Sequence, residues 1–106
     1  MAKVKVFSGI CGFHTTIDAR EAENMIRLQI QSECDAITRL AENLTEVDPY
    51  QEISYRRGGP LTLQMSAKYC SHTACPVPVG IIKAVEVEAR LALPMDATIQ
   101  VSASEE

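Results

Sequence analysis

Four cysteines carry the chemistry that this sequence offers: Cys11, Cys34, Cys70 and Cys75. Each falls where one predicted element gives way to the next. Cys11 stands between Gly9 and Gly12, and Cys34 lies between a strand pattern and a helix pattern. Cys70 and Cys75 bracket His72, ahead of Pro76 and Pro78. Residues that end elements at one pole of a small sheet converge in space, however far apart they lie in sequence. Thiolates are soft ligands that already carry charge, so four that converge make a zinc or iron–sulfur site. Cys34 and Cys75 each precede a predicted helix, where the macrodipole favours a thiolate. The glycines beside Cys11 let the backbone bend around an ion. Taken singly, each cysteine reads better as core filling, because cysteine is among the most often buried residues. The expectation of ligation rests on the four together. His72, in the loop Cys70-Ser71-His72-Thr73-Ala74-Cys75, is a further candidate ligand, and His14, three residues after Cys11, is a weaker one. Of the thiols, Cys34 is expected to matter more than Cys70, because two elements fix it while Cys70 lies in a Ser/His/Thr segment.

These residues need elements to position them. Val4 and Val6 alternate with Lys3 and Lys5, the two-residue period of a half-buried strand. The β-branched run Thr15-Thr16-Ile17 supports a second strand over 13–19, and residues 21–24 read as a turn. Ile26, Leu28 and Ile30 alternate with Arg27, Gln29 and Gln31 in the clearest strand, close enough to the second to form an antiparallel hairpin. The period then changes. Ile37, Leu40, Ala41 and Leu44 form a helical stripe, with Ser32 or Asp35 as the expected N-cap. Asp48-Pro49 and Arg57-Gly58-Gly59-Pro60 break the chain. A helix is expected over 61–69, with Leu61, Met65 and Lys68 or Tyr69 on one side. Pro78 suits the first turn of a long helix whose stripe is Ile81, Ile82, Val85, Ala89 and Ala92, ended by Leu93-Pro94. Ile99 and Val101 suggest a final strand over 98–102. The predicted fold is α+β: an antiparallel sheet of three to four strands with helices packed on one face, as a single domain over 1–103 followed by a solvated tail over 104–106.

Composition narrows the classes. At 106 residues and 46% apolar, with no tryptophan, the chain has length for one aliphatic core. A net charge of −4 without a basic block argues against nucleic acid, and Arg56-Arg57 reads as a solvated loop. No apolar run approaches the ~20 residues that cross a bilayer, and the amino terminus reads as a strand rather than a signal peptide. A cytoplasmic location is expected, where thiols stay reduced and metal ligation outranks disulfide formation. Glu86 and Glu88 read as the solvated side of the last helix.

The order of parts resembles the iron–sulfur cluster assembly scaffolds of the NifU N-terminal/IscU family. Cys11-Gly12-Phe13 leads into a strand pair, Cys34 precedes a helix, and a third cysteine region precedes the helix bearing Ile81-Ile82-Lys83-Ala84-Val85. The resemblance implies Cys11 and Cys34 as the first two ligands and Cys75 as the third, with Cys70 in the neighbourhood of that family's histidine. It also implies a cysteine desulfurase or an apo-protein acceptor as partner. Phe13 stands where that family carries the acidic residue tied to cluster release. The chain is similar, too, to small uncharacterised proteins of anaerobic prokaryotes that share its Cys-Gly-Phe and Cys-Pro-Val-Pro segments. Cys75-Pro76-Val77-Pro78 is similar to the Cys-Pro-x-Pro turn of the TusA-type sulfur carriers, which implies a persulfide on Cys75 alone.

The expectation that follows is a metal-binding protein holding an iron–sulfur cluster or zinc, active in cluster assembly, storage or delivery rather than in catalysis. Two others stand beside it: sulfur transfer through Cys75, and a small interaction module with a structural zinc. No membrane and no nucleic-acid partner is expected.

Overall fold

A computed structural model describes residues 1–104. Two residues of the expected tail, Glu105 and Glu106, lie outside that range. Among the described residues, four strands form one antiparallel meander: β1 (Ala2–Phe7), β2 (His14–Ala22), β3 (Met25–Ser32) and β4 (Glu46–Val47). Four helices accompany them: α1 (Asp35–Asn43), α2 (Pro49–Glu52), α3 (Leu61–Tyr69) and α4 (Val77–Glu88). The α+β class, the antiparallel hairpin and the helix over 61–69 are as the periodicity predicts.

The pleat explains the layering. Ile17 and Ala19 of β2 and Ile26 and Leu28 of β3 point to one face and are buried, while Lys3, Lys5, Arg27, Gln29 and Gln31 stand exposed on the other. On the buried face lie Ile37 and Leu40 of α1 and Val77, Ile81, Ala84 and Val85 of α4. Their removal from water drives the fold, at about 25 cal/mol per Å² of apolar surface.

Helix α4 crosses β1 and β2 at Gly80. A Cβ there would sit 2.6 Å from Val6 Cγ2 and 3.5 Å from both Val4 Cγ1 and Ile17 Cδ1. Gly80→Ala is therefore expected to destabilise the protein by about 1 kcal/mol. Overpacking costs about 1–3 kcal/mol, and the helix propensity gained returns about 1 kcal/mol of it. Urea denaturation measures the difference. A stabilised variant would show that Val6 gives way freely.

Several boundaries differ from those read in the sequence. β2 runs on to Ala22, and Glu23 (φ 54°) and Asn24 (φ 69°) alone make the turn into β3. That is the two-residue hairpin geometry whose twist suits the flanking strands. β4 was not anticipated. Only two residues long, it pairs Val47 with Ile26. The N-cap of α1 is Cys34 rather than Ser32 or Asp35, and no side chain caps the helix. Asp48 caps the short α2 by accepting a hydrogen bond from the Tyr50 amide at 3.0 Å. α4 ends at Glu88, so Ala92 is not helical; Arg90 takes φ 64° and the Leu91 amide bonds back to Glu86 O at 2.8 Å, closing the helix as a Schellman turn. The strand expected over 98–102 is absent among the described residues: the segment pairs with none of the four strands.

Glu88 is not a solvated residue. It sits 3.4 Å from the Met1 ammonium and accepts from the Glu21 amide at 2.9 Å. Burial pushes its carboxyl upward, but the Glu21 and Ala2 amides and the N-terminal charge outweigh this and hold it below the ordinary carboxylate range. Glu88 thus ties the end of α4 to the start of β1. The other end of α4 must then lie at the opposite pole of the sheet. Among the described residues, no helix is long and apolar enough to cross a membrane.

Candidate thiol site

The pole at the start of α4 gathers the chain ends that the cysteines occupy. Phe7 pairs with His14, where β1 ends and β2 begins, and Thr15 pairs with Ser32, where β3 ends. Cys34 follows Ser32 and opens α1. Cys70 is the C-cap of α3, its amide bonded to Ser66 O at 2.8 Å. Cys75 comes just before α4, its amide donating to His72 O at 3.3 Å.

Cys34, Cys70 and Cys75 are half-buried free thiols packed against the same core. They are electrostatic neighbours. Burial pushes the Cys70 thiol above its ordinary value; negative charge on Cys75 and then on Cys34 would push it further, and the nearby Arg39 guanidinium opposes them. Three residues scattered over residues 34–75 thus share one region, with a cation beside it. As placed, no group of three or more His, Cys, Asp or Glu side chains among the described residues could hold a metal ion. The trio is a neighbourhood of sulfurs rather than a closed coordination shell.

A network of short polar contacts holds Cys34. The Ser32 hydroxyl accepts from the Cys34 amide at 3.1 Å and shares a 2.7 Å hydrogen bond with the Thr15 hydroxyl. The Thr38 hydroxyl donates to the Cys34 carbonyl at 3.0 Å. Ser32, expected as a cap, instead fastens β3 and the start of α1 to β2. Cys70 is anchored too, through α3, which the Ser/His/Thr composition around it did not signal.

Cys11 stands apart from the trio's setting. It is exposed on the β1–β2 loop, in a tight turn closed by Gly12 N donating to Gly9 O at 2.8 Å. Gly9 (φ 88°) and Gly12 (φ 76°) both adopt left-handed backbone, which glycine tolerates at little cost. His14 is engaged with Glu33 and Phe7. His14 Nδ1 lies 3.2 Å from Glu33 Oε1, and its ring tilts against Phe7 with centroids 4.9 Å apart. The His14 amide, and then the ring, hold the Glu33 carboxyl below its ordinary value. His72 is exposed on the loop between Cys70 and Cys75.

Residues 2–101 match one protein family, nearly the whole chain. The chain belongs to DUF6951, a family of unknown function. No curated protein and no solved structure matches it. The thiol pole of this DUF6951 chain must therefore be read from its own geometry.

One consequence concerns pH. The folded protein makes Cys70 harder to ionise than the unfolded chain does, so its neutral thiol contributes stability that is fully present below the ordinary thiol pKa. That contribution is lost as pH rises through the raised folded value. The reduced, metal-free protein is expected to lose stability on the alkaline side of the ordinary thiol range, and Cys70→Ser to remove that part of the loss. Denaturation midpoints at a series of alkaline pH values test this; parallel curves for the two proteins would contradict it.

Proposed function

We propose that this DUF6951 protein binds a thiophilic centre, zinc or an iron–sulfur cluster, through Cys34, Cys70 and Cys75, with Cys11 as the fourth thiol. The observation that carries the reading is that Cys34, Cys70 and Cys75, from three different element ends, are half-buried free thiols packed against one core. The donor set fits. Thiolates suit zinc and iron, and a half-buried setting limits exchange with water. The segment between Cys70 and Val77 lies outside the helices, and that freedom lets Cys75 draw towards Cys70 and Cys34. The glycine-flanked turn at Cys11 stands at the same end of the sheet, and His72 is an alternative donor from the 70–75 loop. Arg39 stands where it offsets the negative charge of gathered thiolates.

A bound cluster would be cargo for assembly, storage or delivery, consistent with the resemblance to the NifU N-terminal/IscU scaffolds, and its partners would be a cysteine desulfurase or an apo-protein acceptor. The protein would act in the cytoplasm, where thiols remain reduced. With Phe13 in place of an acidic residue, retention is favoured over release.

Anaerobic purification followed by a visible spectrum and elemental analysis tests the reading. Iron and sulfide with visible absorbance mark a cluster, and colourless protein with stoichiometric zinc marks the structural alternative. Protein that takes up neither, with all thiols reduced, overturns it.

A second reading has its own observation: Cys75 directly precedes α4, the setting of a single sulfur-carrying thiolate. Sulfur transfer by this residue predicts a persulfide on Cys75 after incubation with a cysteine desulfurase. Mass spectrometry would find it even when Cys11, Cys34 and Cys70 are all serine.

A further inference from the structure

We propose that the carboxy-terminal segment of each chain is a donor strand that completes the sheet of a second copy, pairing along its free β1 edge. Positions 91, 93, 95, 97, 99 and 101 are Leu, Leu, Met, Ala, Ile and Val, and those between them are Ala, Pro, Asp, Thr and Gln. An unbroken two-residue period of this length describes a strand with one wholly apolar face. Yet the segment has no strand partner and lies in the open: Leu93 is 86% exposed, Met95 84%, Ile99 79% and Val101 90%. Aliphatic side chains alternating this regularly are costly to leave in water, at about 25 cal/mol per Å².

The sheet offers a receiving edge. The sheet order is β1-β2-β3-β4, so β1 and β4 are its edges. β4 is two residues long and offers little to pair with, whereas β1 offers six. On the helix-facing side of β1, Val4 and Val6 are only half-buried, and Val79 of α4, beside the Gly80 crossing, is 55% exposed. A strand added outside β1 with its apolar face towards the helices would cover these positions. Pro94 lacks an amide proton and suits the residue before pairing begins. The run that follows, residues 95–101, is long enough to pair with all six residues of β1. Charge fits as well. With the apolar positions turned towards the helices, Asp96 falls on the face that bears Lys3 and Lys5.

The donor comes from another molecule because of how the segment leaves its own. The Schellman turn at Arg90 ends α4 where Glu88 meets Met1, and the chain beyond it is exposed and unpaired in a molecule that measures 52 Å along its long axis against 28 and 26 Å across. Mutual exchange between two copies satisfies both segments and both edges, and it closes with two-fold symmetry.

Sedimentation equilibrium of the full chain, alone and as the double variant Ile99→Asp/Val101→Asp, tests the proposal. Both side chains are exposed in the single chain, so the variant should keep its fold, and circular dichroism verifies this. The expected result is a dimer for the native chain and at least a tenfold weaker association for the variant. A synthetic peptide of residues 91–104 should bind the variant, whose β1 edge remains open. A monomeric native chain, whether its segment stays extended or folds onto its own edge, would overturn the proposal. So would a dimer that the substitutions leave intact.

Discussion

Replacing Glu52 with alanine is expected to lower the unfolding free energy by about 3 kcal/mol or more. Glu52 is 1% exposed at the end of α2, and its carboxyl group accepts hydrogen bonds from three donors at the start of α3: the Leu61 amide at 2.8 Å, the Thr62 amide at 2.9 Å and the Thr62 hydroxyl. Pro60, the N-cap of α3, supplies no side-chain cap, so Glu52 caps that helix from outside it. Truncation leaves buried donors without a partner. Each such loss costs about 1–3 kcal/mol, against a total stability of about 5–15 kcal/mol for a domain of this size. Glu52→Gln retains one oxygen acceptor and should cost clearly less. The effect reaches the thiol pole, because α3 is the helix that ends at Cys70. Urea denaturation of the metal-free protein measures it. A loss below about 1 kcal/mol would mean that water or another group takes over the amides.

Serine at Cys34, Cys70 or Cys75 should each abolish metal retention, whereas Cys11→Ser should leave part of it. From sequence alone, Cys34 ranks above Cys70. In the structure Cys70 has an anchor as well, since it caps the end of α3 while Ser32 and Thr38 hold Cys34, so the two are expected to matter alike. Loss of a group that merely supports a ligand lowers metal affinity by about 10–100-fold, so loss of a ligand should exceed that. Cys11 sits on an exposed turn between two left-handed glycines, where a water-borne donor can take its place as a fourth ligand. Metal content after gel filtration of the four variants, each verified as folded, distinguishes the cases. Equal retention in Cys34→Ser and the native chain would remove Cys34 from the site.

Much of the fold was legible because single elements carry clean periods. Ile26, Leu28 and Ile30 alternate, so β3 and its hairpin partner could be read directly, and the stripe of Ile37, Leu40 and Leu44 marked α1. The elements that escaped notice depend on distant partners. β4 exists because Val47 meets Ile26 across the sheet, and two residues have no period of their own. The segment around Ile99 and Val101 shows the reverse: a strand pattern that pairs with none of the four strands. That the cysteines stand at element ends was legible from the breaks in period around them. Their grouping into a half-buried trio and an exposed fourth was not, because it depends on how α3 and α4 pack. Nor was the role of Glu52, which lies ten residues from the Thr62 that it holds.

Titration of the reduced protein with cobalt(II) under anaerobic conditions tests the thiol site most directly, since each cobalt–thiolate bond adds sulfur-to-metal charge-transfer absorption. The expected result is one equivalent of cobalt bound with the charge-transfer intensity of at least three thiolates, falling away in the Cys34→Ser, Cys70→Ser and Cys75→Ser variants alike. Binding without charge-transfer absorption, or intensity unchanged by those substitutions, would contradict a centre built on these three cysteines.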